Sequence, residues 1–204
     1  YKELNEKANS LAHYLKEEKG IKEGEFIGIL VDKSFELIIS IIAVLKIGCC
    51  YVPLEKTHLL ERKKFVLNNS NAKLLILDED VDIEIEKVNI YDRVEKNINN
   101  IKNNSTADSP NCVLYPSGTT GEPKGAVIID RNIVKLVRDA DYITFEETDK
   151  ILQAASTSFD VSLFEIWGAL LNGGSLHIIK KENLIMPQYL ANYLVNSKIT
   201  VLWI

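Results

Sequence analysis

The sequence contains few cysteines, and their positions give no sign of a metal site. Cys49, Cys50 and Cys112 are the only ones in 204 residues. Their number is odd, and they lack the paired Cys-x-x-Cys spacing that is typical of zinc ligands. The sequence therefore argues against a disulfide framework and against a zinc site, and we expect three buried thiols.

Long apolar runs and a basic surface are also absent. No apolar run approaches the roughly 20 residues that a membrane span needs, and the N-terminus lacks the layout of a signal peptide. The net charge is -5, whereas binding to nucleic acid or to anionic membranes relies on basic surface. We therefore predict a cytoplasmic protein that binds neither nucleic acid nor membrane.

The chain does contain enough apolar sequence for one sizeable core or two small ones, since 46% of its residues are hydrophobic. Tyr1 to Leu15 show helical periodicity, and the apolar run from Phe26 to Val31 predicts a parallel strand buried on both faces. Asp32 or Ser34 can then cap a helix that ends near Lys46.

This alternation of strand and helix continues through the next segment. Strands are predicted at Cys50 to Leu54, at Leu74 to Leu77 and, more weakly, at Val88 to Tyr91. A helix capped by Thr57 and ending near Asn69 separates the first two strands. The alternation predicts an α/β fold with doubly wound, mostly parallel sheets flanked by helices, and with sites outside the carboxyl ends of strands.

An acidic and then asparagine-rich stretch, from Asp78 to Pro110, interrupts the pattern. We interpret Asn97 to Asn104 within it as a surface segment that is mobile or links two subdomains. The predicted organisation is a first α/β subdomain at residues 1–110 and a second at residues 111–204. Because the chain begins at Tyr1 and stops in the strand-like stretch Thr200 to Ile204, we expect a fragment whose second subdomain is incomplete.

Two predicted strands, Cys112 to Tyr115 and Ala126 to Ile129, flank a loop rich in glycine and hydroxyl groups. Residues 115–125 read Tyr-Pro-Ser-Gly-Thr-Thr-Gly-Glu-Pro-Lys-Gly. The glycines let backbone N–H groups approach an anion, the hydroxyls add donors and the lysine adds positive charge. The loop suits a polyphosphate, although the same residue types also describe an ordinary surface turn. It is not a P-loop, because no Gly-Lys-Ser/Thr opens a helix there.

The segment after the loop contains further elements of both kinds. Asp130 can cap a helix that ends near Ala140, Ile151 to Ala155 predict a strand, and Ser162 to Leu171 predict a helix. Either Asp160 or Ser162 can cap this last helix, and Ser162 with Glu165 fits a capping box.

Four separated segments resemble the amino-acid adenylation domains of nonribosomal peptide synthetases, within the acyl-adenylate-forming, AMP-binding ligase family. Their order and rough spacing match across almost the whole chain. The segments are Tyr1 to Asn5 with Ala8, Asn9, Leu11 and Ala12; Leu45 to Leu54; the loop at 115–125; and Phe159 to Ser162, which continues to Leu171. The resemblance implies the N-terminal part of the adenylate-forming enzyme fold, truncated.

The resemblance also implies a two-step reaction. A substrate carboxylate attacks the α-phosphate of ATP, giving aminoacyl-AMP and pyrophosphate, and the phosphopantetheine thiol of a carrier protein then takes the acyl group. The implied cofactors are ATP and Mg²⁺, and the implied partners are an amino acid, a carrier protein or domain, and further synthetase modules in the same chain. Because pyrophosphate leaves well only if its growing charge is stabilised, the loop is assigned to the phosphates and Lys124 to catalysis. The implied ATP-binding residues are Ser117, Gly118, Thr119, Thr120, Gly121 and Lys124.

One residue of the loop departs from the family pattern. Pro116 stands where the family usually has a small hydroxyl residue or glycine, so one N–H donor is lost. We interpret Pro116 as stiffening the entrance of the loop; the alternative is a domain with reduced affinity for nucleotide.

By the same resemblance, Asp160 pairs with the α-amino group of the substrate. A carboxylate in a largely apolar pocket is costly unless it meets a cation, which suits an ammonium substrate. We therefore expect Ser162 to cap the helix and Asp160 to bind the amine. The implied substrate-binding residues are Asp160, Phe159, Val161, Phe164 and Trp203, and the last three also fit ordinary core packing.

Three other functions stay open. An acyl- or aryl-CoA ligase shares the loop, but its substrate lacks the amine; a D-alanine carrier-protein ligase needs the amine partner as well; and a third alternative is a non-catalytic remnant or interaction domain. The family's adenine, ribose and metal contacts and its late lysine would follow Ile204. We therefore expect no metal ligand within the chain, and poor or no adenylation by residues 1–204 alone. The acidic runs and the histidines fit structural roles better than catalysis; those histidines are His13, His58 and His177.

Overall fold

The computed structural model describes residues 1–92, 97–116, 123–138 and 140–203. They belong to two compact units, Tyr1–Asp130 and Arg131–Ile204. Each unit contains both helices and strands, and strands within each unit pair with one another in parallel. This confirms the predicted α/β class.

A mostly parallel sheet forms the centre of the first unit. Its strands are β1 (Phe26–Leu30), β2 (Cys50–Pro53), β3 (Leu74–Leu77), β4 (Glu86–Asn89), β5 (Pro110–Leu114) and β6 (Ala126–Ile129). Within the described residues the order is β4-β3-β1-β2-β5-β6, parallel from β4 to β5, with β6 antiparallel to β5. The helices of this unit are α1 (Lys2–His13), which continues as a π-helix (Tyr14–Glu18), α2 (Phe35–Lys46) and α3 (Leu60–Asn69).

Burial explains why β1 and β3 are continuous apolar runs. β1 lies between β2 and β3, and every residue of β3 is buried, as expected of parallel strands covered on both faces. Gly28 lets α3 approach the sheet, because a Cβ at this position would lie 2.6 Å from Leu67 Cδ2. The strands predicted at Phe26 to Val31 and at Leu74 to Leu77 are therefore confirmed.

α2 begins at one of the two candidate caps and ends where predicted. Ser34 Oγ accepts a hydrogen bond from Leu37 N–H at 3.2 Å, so Ser34 caps the helix. The helix ends at Lys46, and Gly48 follows with a φ of 71°, a left-handed conformation that glycine adopts without strain.

α3 begins later than the sequence pattern predicts. Residues 55–58 form a separate turn, in which His58 N–H donates to Glu55 O at 3.1 Å. The helix starts at Leu60 and has no side-chain cap. The prediction that Thr57 caps this helix is therefore wrong.

The asparagine-rich segment at residues 97–104 is attached to the first unit by side-chain hydrogen bonds. Asn103 Nδ2 donates to Leu45 O and Lys46 O, each at 3.0 Å, at the C-terminal end of α2. Asn104 Nδ2 donates to Glu23 Oε2 at 3.0 Å. The segment lies on the surface, as predicted, and these hydrogen bonds join it to other residues of the first compact unit. The side-chain amide of Asn103 binds carbonyl groups that a helix end leaves without intrahelical partners.

The second unit is built around one buried helix and a parallel strand pair. Its strands are β7 (Lys150–Gln153) and β8 (Ser175–Ile178), and its helices are α4 (Asp130–Val137), α5 (Val161–Leu170), α6 (Lys181–Leu184) and α7 (Pro187–Ser197). Residues 162–169 of α5 are all buried. The strand predicted at Ile151 to Ala155 and the helix predicted at Ser162 to Leu171 are confirmed with small shifts of their ends. Among the described residues, no helix has both the length and the apolar character needed to cross a membrane.

The two strands around the loop belong to the sheet of the first compact unit. β5 pairs in parallel with β2, where Tyr51 lies opposite Cys112, and β6 pairs with β5. Both strands therefore extend the first sheet, and the first compact unit ends at Asp130. Sequence patterns do not show this boundary, because the pairing joins residues that are far apart in the chain.

The three cysteines are free and buried, as predicted. Burial raises the pKa of Cys49 and of Cys112 to about 12, and it raises the pKa of Cys50 as well. These thiols are therefore un-ionised at neutral pH, and un-ionised thiols are poor nucleophiles.

Candidate functional site

Most of the glycine-rich loop lies outside the described residues. Five residues assigned to ATP fall there: Ser117, Gly118, Thr119, Thr120 and Gly121. The structure describes both ends of the loop, with Tyr115 and Pro116 after β5 and with Pro123, Lys124 and Gly125 before β6.

Tyr115 joins the start of the loop to α3. Its buried side chain donates a hydrogen bond from the hydroxyl to Asn69 Oδ1 at 2.8 Å, and Arg62 Nη2 donates to its backbone carbonyl at 3.0 Å. At the other end, Gly125 lies against the same ring, since a Cβ there would lie 2.9 Å from Tyr115 Cζ. Sequence patterns miss Arg62 and Asn69, because they lie 53 and 46 residues from Tyr115.

Lys124 is exposed and directly precedes Gly125, the residue that packs against the ring of Tyr115. Burial raises the pKa of Tyr115, so its hydroxyl stays protonated and continues to donate its hydrogen bond to Asn69. Pro116 is exposed at the entrance, where it offers no N–H to a ligand. Lys124 is thus an accessible cation that follows the glycine and hydroxyl residues in the sequence, a combination suited to phosphate oxygens.

Asp160 lies at the N-terminus of α5 with its carboxylate exposed. Its Oδ1 accepts a hydrogen bond from Val161 N–H at 2.9 Å, so Asp160 is the N-cap residue. Ser162 Oγ instead donates to Phe159 O at 2.7 Å. The prediction that Ser162 caps this helix is therefore wrong, and the described residues leave Asp160 exposed rather than in an apolar pocket.

Glu165 does not form the predicted capping box. Its carboxylate is buried and accepts hydrogen bonds from the backbone N–H groups of Ala154 and Ala155, each at 3.1 Å. These two residues directly follow β7. Sequence analysis missed this role, although a single carboxylate among the apolar residues of α5 is a signal for a buried acid that needs donors.

Aromatic side chains pack around Phe164, one helical turn after Asp160. The ring centroid of the buried Phe164 lies 5.3 Å from that of Phe145, 5.6 Å from that of Trp203 and 6.4 Å from that of Tyr142. Trp203 stays 53% exposed. Phe164 is buried, which fits the alternative of core packing, and its role in substrate binding stays a prediction; Trp203 is exposed enough to contact a ligand.

The structure brings several of the predicted substrate residues together within the second unit. Asp160, Val161 and Phe164 follow one another along α5 or its N-cap, and Trp203 packs on Phe164. Phe159, directly before Asp160, is 48% exposed. Lys124 belongs to the first unit.

An ion-pair network fills the position where doubly wound sheets often bind ligands, at the carboxyl ends of β1, β2 and β3. Lys56 Nζ lies 2.8 Å from Asp78, 2.9 Å from Asp32 and 3.4 Å from Glu79. Burial lowers the pKa of Lys56, but hydrogen bonds to Asp78 and Asp32 offset this, and the pKa lies above the ordinary lysine value. The lysine thus pairs with all three carboxylates and offsets part of their negative charge, in keeping with a structural role.

The histidines and acidic runs have structural partners. His13 Nδ1 lies 2.8 Å from Glu17 Oε1, and His177 Nε2 lies 3.3 Å from Ser175 Oγ. A hydrogen bond from Lys87 lowers the pKa of the exposed Asp80. No group of three His, Cys, Asp or Glu side chains in the described part of the chain could hold a metal ion.

Comparison with known proteins places the whole chain within one family profile, described as AMP-binding enzyme, which matches residues 1–204. Bacitracin synthase 3 of Bacillus licheniformis is 37% identical over 210 residues, and Tyrocidine synthase 3 of Brevibacillus parabrevis is 34% identical over 213 residues. Each aligns with 100% of this chain and with 3% of its own length. The resemblance to synthetase adenylation domains is thus confirmed.

Solved structures give the same result for the fold. The N-terminal subdomain of Klebsiella oxytoca NpsA, in complex with 3-hydroxyanthranilyl-AMSN, is 30% identical with a TM-score of 0.87 and covers 98% of this chain. The match covers 51% of that chain, so the present chain spans about half of it. NpsA-ThdA, an artificially fused Adenylation-PCP di-domain from the same organism, is 28% identical with a TM-score of 0.86; the match covers 98% of this chain and 37% of that one.

Proposed function

Because this chain belongs to the AMP-binding enzyme family, we propose that the complete protein activates an amino acid as aminoacyl-AMP, with release of pyrophosphate. The acyl group then passes to the phosphopantetheine thiol of a carrier protein or domain. The observation that carries this proposal is the exposed carboxylate of Asp160 at the N-terminus of α5, one helical turn from the aromatic group around Phe164.

The position of Asp160 suits an ammonium group. The positive end of the helix dipole favours a negative charge at this N-cap, and within the described residues the structure gives its carboxylate a single hydrogen bond, from Val161 N–H. The remaining lone pairs can accept from the α-ammonium of an amino acid in charge-assisted hydrogen bonds. A plain carboxylic acid offers no such donor and gains nothing from Asp160.

The side chain of the amino acid would contact the residues that accompany Asp160. Val161 is half-buried next to it, and Trp203 covers Phe164 while keeping half of its own surface exposed. Such a surface favours an apolar or aromatic side chain over a charged one. Phe159, which directly precedes Asp160, is exposed and could also contact the substrate.

The first unit would bind the polyphosphate. Lys124 would neutralise charge that develops on pyrophosphate as it leaves, and the hydroxyl and glycine residues at 117–121 would donate hydrogen bonds to its oxygens. Arg62, Asn69 and Tyr115 hold the start of the loop, and Gly125, which directly follows Lys124, packs against the ring of Tyr115.

Enzymes of this family use ATP and Mg²⁺. Bound Mg²⁺ supplies charge neutralisation at the phosphates. Since the described residues contain no cluster that could hold it, we assign no residue of this chain to the metal.

The names of the related proteins bear on the substrate and the acceptor. NpsA-ThdA is described as a fused Adenylation-PCP di-domain, which supports a carrier protein as the acceptor. The NpsA N-terminal subdomain was solved with 3-hydroxybenzoyl-AMSN as well. An aryl acid is therefore the second candidate substrate, and Asp160 discriminates between the two classes.

The test is pyrophosphate exchange into ATP by the full-length protein, with a panel of amino acids, aryl acids and simple carboxylic acids. We expect exchange with one or a few amino acids, and a loss of at least about tenfold in kcat/KM in Asp160→Ala and in Lys124→Ala, since each removes a charge-assisted hydrogen bond. Asp141→Ala and Lys102→Ala, at exposed positions, serve as matched controls.

The other outcomes assign the protein differently. Exchange with acids that lack an amine, unchanged in Asp160→Ala, would identify an acyl or aryl ligase. Absence of both exchange and ATP binding would leave a non-catalytic member of the family. For residues 1–204 alone we expect little or no exchange, and robust exchange by this chain would contradict that part of the proposal.

A further inference from the structure

Glu165 is a buried carboxylate in the middle of α5 that connects this helix to the end of β7. Its side chain is fully buried. Its Oε1 accepts hydrogen bonds from the N–H groups of Ala154 and Ala155, and its Oε2 also lies 3.1 Å from Ala155 N. The N–H groups that Glu165 binds belong to the first two residues after the strand.

Packing alone does not account for an ionisable group at this position. Moving a carboxylate out of water is costly, and an apolar residue of similar volume often stabilises a core equally well. Glu165 accepts hydrogen bonds from N–H groups just after the end of β7, beyond the last residue of this strand that pairs with β8. The carboxylate therefore fixes the position of α5 relative to the end of β7.

That geometry fixes the segment which ends at Asp160. Glu165 holds this segment at Ala154 and Ala155, and Ser162 Oγ holds it at Phe159 O, at 2.7 Å. Both anchors lie on α5, the helix that Asp160 caps. The position of the Asp160 carboxylate is thus determined from both ends of the segment.

The same hydrogen bonds fix the rotation of α5 about its axis. Glu165 directly follows Phe164, which contacts Trp203. If Glu165 lost its partners at the end of β7, the helix could turn or shift, and Phe164 would move together with the N-cap at Asp160.

We propose that Glu165 is a positioning residue that sets the place of Asp160 and Phe164 and thereby the affinity for the amino-acid substrate. This inference rests on the proposed function, in which Asp160 binds the α-ammonium group. Glu165 does not touch the substrate in this proposal, and it acts through the 154–160 segment and through α5.

The test compares Glu165→Gln and Glu165→Leu in the full-length protein by pyrophosphate exchange. Glutamine keeps one acceptor oxygen but places an NH₂ group where Ala155 N–H donates, and leucine removes both acceptors. We expect the KM for the amino acid to rise about tenfold in the glutamine variant and further in the leucine variant. The KM for ATP should stay within about twofold of the original value.

A structural role alone predicts a different result. It would reduce the amount of folded enzyme and hence the apparent kcat, with both KM values unchanged, and this outcome would overturn the proposal. Glu182→Gln, at an exposed position in α6, is the matched control. Ser162→Ala removes the second anchor and should show the same selective rise in KM for the amino acid, even where a Glu165 variant folds poorly.

A separate measurement distinguishes failure of this inference from failure of the proposed function. Wild-type protein that exchanges with no amino acid would contradict the proposed function, but the position of the segment can still be followed by amide hydrogen exchange. We expect faster exchange across residues 154–160 in Glu165→Gln than in the wild type, with residues 74–77 of β3 unchanged. Equal exchange in the two proteins would refute the positioning role.

Discussion

Partial burial favours the neutral form of His177, a residue of the second unit. This histidine lies in β8, and burial, with a further contribution from the positive charge of Lys150, lowers its pKa below the ordinary value of 6.5. The folded state thus favours the neutral ring. The corresponding stability is complete above the unfolded pKa and is lost as the pH falls through the folded pKa.

We therefore expect the free energy of unfolding to decrease as the pH falls from about 8 to about 5, and to decrease less steeply in His177→Gln. Partial exposure screens the charge of Lys150, so the difference should be under about 1 kcal/mol. Urea unfolding at several pH values, followed by tryptophan fluorescence, measures it. His13→Gln controls for the loss of a histidine as such, and parallel pH profiles for wild type and His177→Gln would contradict the prediction.

Residue types at a motif could be predicted from the sequence, but their partners could not. The sequence placed Asp160 and Ser162 at the start of a helix, and the structure confirms a helix there with Asp160 as its cap. The capping box failed because Glu165 faces the core and binds N–H groups of Ala154 and Ala155 instead. Motif spacing alone does not show which side of the helix the fold will bury.

At the scale of secondary-structure elements, the end of α2 depends on a side chain from a distant segment. Asn103 Nδ2 donates to Leu45 O and Lys46 O, 58 and 57 residues away. A helix leaves its last carbonyl groups without intrahelical partners, and the negative end of its dipole favours a donor over an acceptor there. The asparagine-rich segment therefore stabilises α2.

We expect Asn103→Ala to destabilise the chain by about 1 kcal/mol, the typical net value of a lost hydrogen bond. Asn103→Asp should destabilise it more, because it replaces the donor by a negative charge beside these carbonyl groups. Urea unfolding followed by circular dichroism measures both changes, with Asn68→Ala at an exposed position as control. If the alanine and aspartate variants matched the wild type, the role of Asn103 at the end of α2 would be refuted.

Apolar periodicity predicted most strands and helices of the described residues, because it reflects which face of an element is buried. It placed β3 correctly to the residue, Leu74–Leu77. Hydrogen bonds between distant segments, such as those of Asn103 and Arg62, leave no periodic signal. The attachment of the asparagine-rich segment and the base of the loop therefore could not be predicted from the pattern.

At the scale of the whole molecule, the two compact units have cores of different construction. The first unit is built on a sheet of strands β1 to β6, whereas the second contains the pair β7 and β8 with one largely buried helix. A pair of strands is marginally stable without further packing. The first compact unit continues past residue 110 to Asp130, because β5 pairs with β2 in a long-range contact.

The unequal construction of the units predicts that the second unfolds at lower urea concentration than the first. The chain provides a separate probe for each unit: Trp167 and Trp203 lie in the second, and Cys49, Cys50 and Cys112 lie in the first. The thiols are buried, and burial raises the pKa of Cys49 and Cys112 to about 12, so a thiol reagent should reach them only when the first unit opens. We expect the tryptophan transition to precede thiol labelling in a urea titration of the 204-residue chain. Trp203→Phe leaves the buried Trp167 as the sole fluorescence probe and should preserve this order, whereas coincident transitions would show a single cooperative unit instead.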